Sequence, residues 1–265
     1  MNILKLKAMK QQNQKISMVT CYDYWSARII AQTPIDCILV GDSLAMVMHG
    51  HPTTIPATID MMALHVAAVA RGAPEKFIVG DMPFLSYRKG LQETMRTVEQ
   101  LMQAGAKAIK LEGVTGHEEI IQYVVTSGIP VMGHIGLTPQ SVHQLGGFKV
   151  QGNNEADAQA LLEQAKILEQ LGCCAVVLEC VPCELAKVIT QAINIPTIGI
   201  GAGVHVDGQV LVLHDLLGMD ENFKPKFLKT YLKGYELFKT ALNTYDHEVK
   251  TAQFPSKEHS FLGKT

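Results

Sequence analysis

The sequence predicts an α/β fold, a single (β/α)8 TIM barrel carrying an N-terminal helix and a C-terminal helical extension. Three observations lead there. From residue 16 onward, short β-branched runs alternate with longer stretches of helical spacing, the pattern of βα units around a parallel sheet. Eight such runs occur, the number that closes a barrel. The length of 265 residues, with 47% hydrophobic content, suits one domain over 1–265 rather than two.

The expected strands are ISMVTCY, CILVGD, KFIVGD, AIKLEG, PVMGHIG, AVVLEC, PTIGIG and QVLVLHD. Between them ATIDMMALHVAAVARG, GLQETMRTVEQLMQAG, GHEEIIQYVVTSG and EADAQALLEQAKILEQLG carry apolar residues at helical spacing and end at Gly. Only a Gly-containing loop separates the seventh and eighth strands. The barrel is expected over 16–224. Residues 1–15 hold a short helix (2–13) that plugs one barrel end, and 225–265 hold one or two helices rich in Lys, Leu and Tyr, then the tail QFPSKEHSFLGKT.

Twenty-three Lys plus Arg against 25 Asp plus Glu give a net charge of −2, without the basic surplus that binding a phosphate backbone needs. Nucleic acid is not an expected partner. The basic N-terminus lacks a following apolar core or cleavage site, and no apolar run approaches a membrane span, so a cytoplasmic protein away from membranes is expected. Cys21, Cys37, Cys173, Cys174, Cys180 and Cys183 mostly lie in or beside apolar runs, where thiols pack as small hydrophobes; no structural disulfides are expected.

The chemistry is signalled by position. A charged residue closes one apolar run after another: Asp42, Asp81, Glu112, His134 and Glu179. Barrel active sites are built at the C-terminal ends of strands. Any one acid after a strand is more often a helix cap or loop residue, and His134 alone would be a packing histidine; five at equivalent places are not explained that way. Burying three carboxylates calls for a compensating cation, and oxygen-only ligation favours magnesium over zinc. Lys110 and Glu112 stand two apart on one strand and so share a face. The lysine can balance carboxylates, bind an anionic substrate or form an imine; the acid cluster favours the electrostatic role.

Other features weigh less. Cys180-Val-Pro-Cys183 matches a redox or half-zinc pattern without a partner pair or a thioredoxin-like setting. Gly199, Gly201 and Gly203 could admit a phosphate or pterin, or simply make a tight turn. His49-Gly50-His51 has metal-like spacing in what reads as a loop.

The strings TCYDYWSA, ILVGDSLAMVMHGH, AVARGAP, GDMPF, IKLEG, GHIGLTPQSV, GGFKVQG, VLECVP, IPTIGIGAG and EHSF occur in this order, and together the chain resembles the ketopantoate hydroxymethyltransferase family from about residue 15 to the tail. Ala45 stands where the family usually has Gly, and Cys183 where an apolar residue is common. The resemblance implies transfer of a hydroxymethyl group from 5,10-methylenetetrahydrofolate to 3-methyl-2-oxobutanoate through a magnesium-stabilised enolate, giving ketopantoate for pantothenate and coenzyme A. It implies one Mg2+ per subunit on Asp42 and Asp81, with Glu112 a ligand directly or through water. It places the keto acid on Asp42, Ser43, Asp81, Lys110 and His134, and makes Glu179 the catalytic base. A homo-oligomer, a decamer built from pentamers, is implied as well. The alternatives are another magnesium-dependent 2-keto acid lyase or mutase of similar barrel fold, which a folate-dependence assay separates, and a catalytically silent binding barrel, which an intact set of charged strand ends disfavours.

Overall fold

The computed structural model describes residues 1–261 and 263. The chain forms two compact units, Met1–Val212 and Leu213–Thr265. The first contains eight parallel strands, β1 (Ile16–Thr20), β2 (Cys37–Val40), β3 (Phe77–Asp81), β4 (Ala108–Glu112), β5 (Val131–Gly136), β6 (Ala175–Glu179), β7 (Thr197–Ile200) and β8 (Gly208–Leu211), closed in sequence order with β8 pairing β1. Its helices are α1 (Ile3–Gln11), α2 (Tyr24–Ala31), α3 (Leu44–Val47), α4 (Ile59–Gly72), α5 (Leu91–Gln103), α6 (Glu118–Thr126), α7 (Val142–Leu145), α8 (Glu155–Gln170) and α9 (Cys183–Ala192). The second unit holds α10 (Leu213–Leu216) and α11 (Gly234–Lys250), after which Phe254 lays its ring near Tyr245 and His259. Of the predicted tail, Leu262, Lys264 and Thr265 lie outside the described residues. No helix among the described residues is long and apolar enough to cross a membrane.

The expected eight-stranded barrel is present, and period-two alternation explains how it is filled. Phe77 and Val79 of β3, Ala108 of β4, Met132 of β5, and Ala175 and Val177 of β6 share one buried cluster with the matching residues of the other strands. Leu6 and Met9 of α1 join that cluster, so the N-terminal helix closes one end of the lumen. Lys10 fastens it there: Nζ is 2.8 Å from Asp207 Oδ2 and donates to the Thr190 carbonyl at 2.8 Å. The next residue along each of four inward rows is Asp81, Lys110 followed by Glu112, His134, or Glu179. Apolar rows thus end in charge at the opposite mouth.

Two strand boundaries differ from the sequence reading. β2 stops at Val40, so Asp42 sits in the following turn rather than on the strand. Gly41 takes the inward place; a Cβ there would come 2.9 Å from Ser43 Oγ and 3.4 Å from Asp81 Oδ2, so the missing side chain leaves room for both. β8 stops at Leu211, and His214 and Asp215 belong to α10 instead of the run QVLVLHD. Gly72, expected as a helix stop, remains in α4, where its bare Cα allows α2 to pack close: a Cβ would lie 2.7 Å from Ala27 Cβ and from the Tyr24 carbonyl.

Gly136 at the end of β5 is the tightest glycine of this mouth. It has φ +94°, and a Cβ would lie 2.3 Å from the Glu179 carbonyl oxygen. Gly136→Ala is expected to lose roughly 3 kcal/mol or more in urea unfolding, because backbone would have to move. Gly128→Ala has a similar φ of +88° but open space around it, and should lose only about 1–2 kcal/mol. Equal losses for the two variants would show that the contact with β6 does not matter.

Candidate active site

Parallel register sets the spacing of the charged mouth. Asp81 is paired with Lys110, Glu112 with His134, and Gly136 with Glu179. Neighbouring strands lie roughly 4.8 Å apart, so each long side chain can reach the next row. Lys110 Nζ lies 2.8 Å from Asp81 Oδ1 and 3.3 Å from His134 Nδ1. His134 Nε2 lies 3.2 Å from Glu179 Oε2, while its Nδ1 is 3.5 Å from Glu112 Oε1. Charges of alternating sign therefore run across β3, β4, β5 and β6.

Asp42 joins from the turn after β2. Its backbone N–H donates to Asp81 Oδ2 at 3.0 Å, which brings the two aspartates together. Burial pushes the Asp42 carboxyl well above the usual carboxylate range; Asp81 and Glu112 add to the shift, and Lys110 and Gln140 pull it part of the way back. Burial also pushes Asp81 up, against the opposing effect of Lys110. For Lys110, burial works against the charge, but Asp81, Glu112 and Asp42 outweigh it and hold the proton more firmly than in free lysine. Burial and Lys110 likewise oppose charge on His134, yet the nearby carboxylates of Glu112 and Glu179 prevail and push it up to about 9. The mouth holds more acid than base, and the excess sits on oxygen donors around Asp42 and Asp81. That donor chemistry fits a hard divalent cation such as magnesium.

Asp42, Ser43, Asp81, Lys110, Glu112, His134 and Glu179 all reach this region, in different ways. Asp42, Asp81, Lys110, Glu112 and His134 are all buried. Glu112 is fixed from the loop after β5, its Oε2 accepting from the Gln140 N–H at 3.0 Å. Glu179 is the accessible carboxylate, with 18% of its side chain exposed against 3% for Asp81 and Glu112. Ser43 Oγ is 2.8 Å from the Tyr22 hydroxyl. Among the lesser candidates, His49 Nε2 meets His65 Nε2 at 3.1 Å, and all six cysteines are free thiols.

Sequence reasoning missed Gln140. It is buried in the turn after β5, donates from Nε2 to Asp42 Oδ2 at 2.8 Å and to the Met82 carbonyl at 3.0 Å, and accepts from the Tyr87 hydroxyl at 2.8 Å on Oε1. Tyr87 also donates to the Glu112 carbonyl at 3.2 Å. Through its side chain and its backbone N–H, Gln140 thus ties Asp42 to Glu112 and to the segment just after β3. A search for charged strand ends passes over an uncharged residue in a loop; its only signal was its place in GHIGLTPQSV. Beside it a cavity of about 930 Å3 extends from Glu112 and Gln140 past Phe84, Arg88 and Leu161.

Residues 1–257 match the family model described as ketopantoate hydroxymethyltransferase. Similar curated proteins include 3-methyl-2-oxobutanoate hydroxymethyltransferases of Coxiella burnetii (62% identical, covering 97% of both chains), Bdellovibrio bacteriovorus (60%, 98% of both) and Legionella pneumophila (57%, 98% of this chain and 100% of that one). Among solved structures, phosphonopyruvate hydrolase in complex with oxalate and Mg++ superposes with a TM-score of 0.64 at 10% identity, covering 98% of this chain and 93% of that one. For 2,3-dimethylmalate lyase the TM-score is 0.62 at 14% identity, covering 97% and 88%. At those identities the likeness is one of fold.

The crowding of Asp42 has a measurable sign. A carboxyl whose native pKa is raised binds a proton that the unfolded chain has already released, so its ionisation costs stability as pH rises from about 4 toward the native value. Asp42→Asn removes that charge and should stabilise the magnesium-free protein by about 1–3 kcal/mol at neutral pH. The gain should shrink as pH falls toward about 4 and vanish below it, where Asp42 becomes protonated in the unfolded chain as well. Urea midpoints at several pH values provide the check; a destabilised Asp42→Asn at neutral pH would contradict it.

Proposed function

The chain belongs to the ketopantoate hydroxymethyltransferase family, and from that premise we propose that it moves a hydroxymethyl group from 5,10-methylenetetrahydrofolate to 3-methyl-2-oxobutanoate, yielding ketopantoate on the route to pantothenate and coenzyme A. The observation that carries the reading is the separation of roles across the mouth. Two touching aspartates lie on one side, an accessible glutamate on the other, and a lysine and a histidine between them.

Magnesium, one ion per subunit on Asp42 and Asp81 with Glu112 reaching it directly or through water, would act as a Lewis acid on the keto oxygen and carboxylate, acidifying the adjacent C–H and favouring the enolate. Lys110, kept charged by the surrounding acids, offsets the carboxylates and attracts the substrate carboxylate without forming an imine. Ser43, steadied by Tyr22, adds a donor beside the aspartates. His134 contacts the substrate and points Glu179 into the mouth. Glu179 takes the C3 proton; its partial exposure leaves it room to meet the substrate and return the proton to solvent. Water cleaves the two C–N bonds of the folate's methylene bridge, releasing tetrahydrofolate and the one-carbon unit at the oxidation level of formaldehyde; the carbanionic carbon adds to its carbonyl, and the resulting alkoxide takes a proton to become the hydroxymethyl group. The 930 Å3 cavity supports a second, bulky reactant, since a five-carbon keto acid would fill little of it.

A cytoplasmic homo-oligomer, a decamer built from pentamers, completes the reading. The exposed Tyr24, Trp25 and Ile29 on α2 provide apolar surface for a subunit contact. Sedimentation gives the subunit number.

The direct test is incubation with 3-methyl-2-oxobutanoate, methylenetetrahydrofolate and magnesium, followed by product identification; absence of ketopantoate, or its formation without folate, would refute the reading. For the base, Glu179→Gln should leave keto-acid and magnesium binding within about tenfold, roughly 1.4 kcal/mol. Deuterium exchange at C3 and turnover should both fall by about two to four orders of magnitude. Exchange at the parent rate would assign proton removal to another group.

A further inference from the structure

A second cluster of metal-binding side chains lies away from the aspartate pair. Cys183 Sγ, a carboxylate oxygen of Glu184 and a ring nitrogen of His205 all lie within 4.8 Å of one another. They come from two segments: Cys183 and Glu184 open α9 after β6, and His205 stands in the loop from β7 to β8. We propose that these three residues bind a zinc-class divalent metal, leaving a fourth position to water.

The donor set selects the metal. Thiolate, imidazole and carboxylate together are zinc ligands, and three protein ligands with one open position form a recognised zinc geometry. Magnesium prefers oxygen and has no use for a thiolate. Cys183 is the first residue of the ten-residue helix α9, so its place beside Glu184 is set by a regular element. Binding releases the thiol proton to solvent and requires no redox step.

The loop bearing His205 is held against the cysteine. Gly203 has φ +78°, and a Cβ on it would lie 2.5 Å from Cys183 Sγ, so only a bare Cα lets the loop come this close. Gln209 Nε2 donates to the Gly203 carbonyl at 2.7 Å and fixes the loop from β8. All three ligands are exposed, so a metal has direct access from solvent. Cys180, the other cysteine of the CxxC run, is not one of the three. A bound ion would join the turn after β6, four residues beyond Glu179, to the loop after β7.

Cobalt(II) reports on such a site without reference to activity. The chelator-treated full chain, kept reduced, is titrated with Co2+ and read by absorbance. The expected result is a near-ultraviolet thiolate-to-cobalt charge-transfer band, which oxygen ligands alone do not give, together with visible bands of a four-coordinate ion. Equimolar zinc should abolish the bands, and excess magnesium should leave them intact. Cys183→Ser should remove the charge-transfer band, His205→Ala should weaken cobalt binding by at least about tenfold, and Cys180→Ser should retain both. A chain that gives no thiolate band, a band that survives in Cys183→Ser, or one that magnesium displaces would overturn the proposal. The exposed positions of Cys183 and His205 leave folding intact in either variant, and circular dichroism verifies it.

Discussion

The ion pair between Lys110 and Asp81 governs what the rest of the barrel mouth can contain. Both side chains are buried, and desolvating either alone would cost several kcal/mol, so each is tolerable only beside the other. Register makes the pairing unavoidable, because the two residues face each other across β3 and β4. With Lys110 Nζ directed at Asp81, His134 is the next group in reach, and it lies between Glu112 and Glu179. Compensation therefore passes from strand to strand as far as β6. Asp42 enters from a turn, outside that line, and it is there that positive charge is lacking.

The opposite end of the lumen shows what this polarity rests on. The same inward rows that finish in charge begin as Phe77, Ala108, Met132 and Ala175, packed with Leu6 and Met9 of α1. Such apolar packing stabilises the barrel by roughly 25 cal/mol for each Å2 buried. It also holds strands in fixed register, so that side chains two and four residues further along arrive at set distances. Crowded acids at one end are sustained by a sealed apolar base at the other, the usual relation between a stable scaffold and a strained site.

Much of this was readable from residue order. Period-two alternation made Lys110 and Glu112 neighbours on one face, and the recurrence of charge after apolar runs located Asp81, Glu112, His134 and Glu179 on one mouth. The run CILVGD misled by two residues, since a Gly-Asp end reads as strand although the chain turns at Gly41. The same pattern could not disclose Gln140, whose importance lies in four hydrogen bonds made by a neutral side chain and its backbone from a loop. Nor could it bring His205 to Cys183, which depends on how a short helix-free connection folds between β7 and β8. Strand ends obey a period; loops obey contacts made far along the chain.

Fold alone would leave the chemistry open, because barrels at 10–14% identity superpose on this chain as a phosphonopyruvate hydrolase or a dimethylmalate lyase. What narrows it is the detail around the site, including where the sequence departs from the family's usual residues. Ala45, where the family resemblance leads one to expect Gly, is fully buried in the short helix α3, and its N–H donates to the Asp42 carbonyl at 3.0 Å. In a helix Ala is favoured over Gly by about 1 kcal/mol, since Gly loses more backbone freedom on folding. The departure therefore stiffens the turn that presents Asp42 and Ser43 and adds no polar group to it. A change that firms the support of an acid while leaving the acid in place is what a working site tolerates, and a barrel that had lost its chemistry would have no reason to keep the acid there.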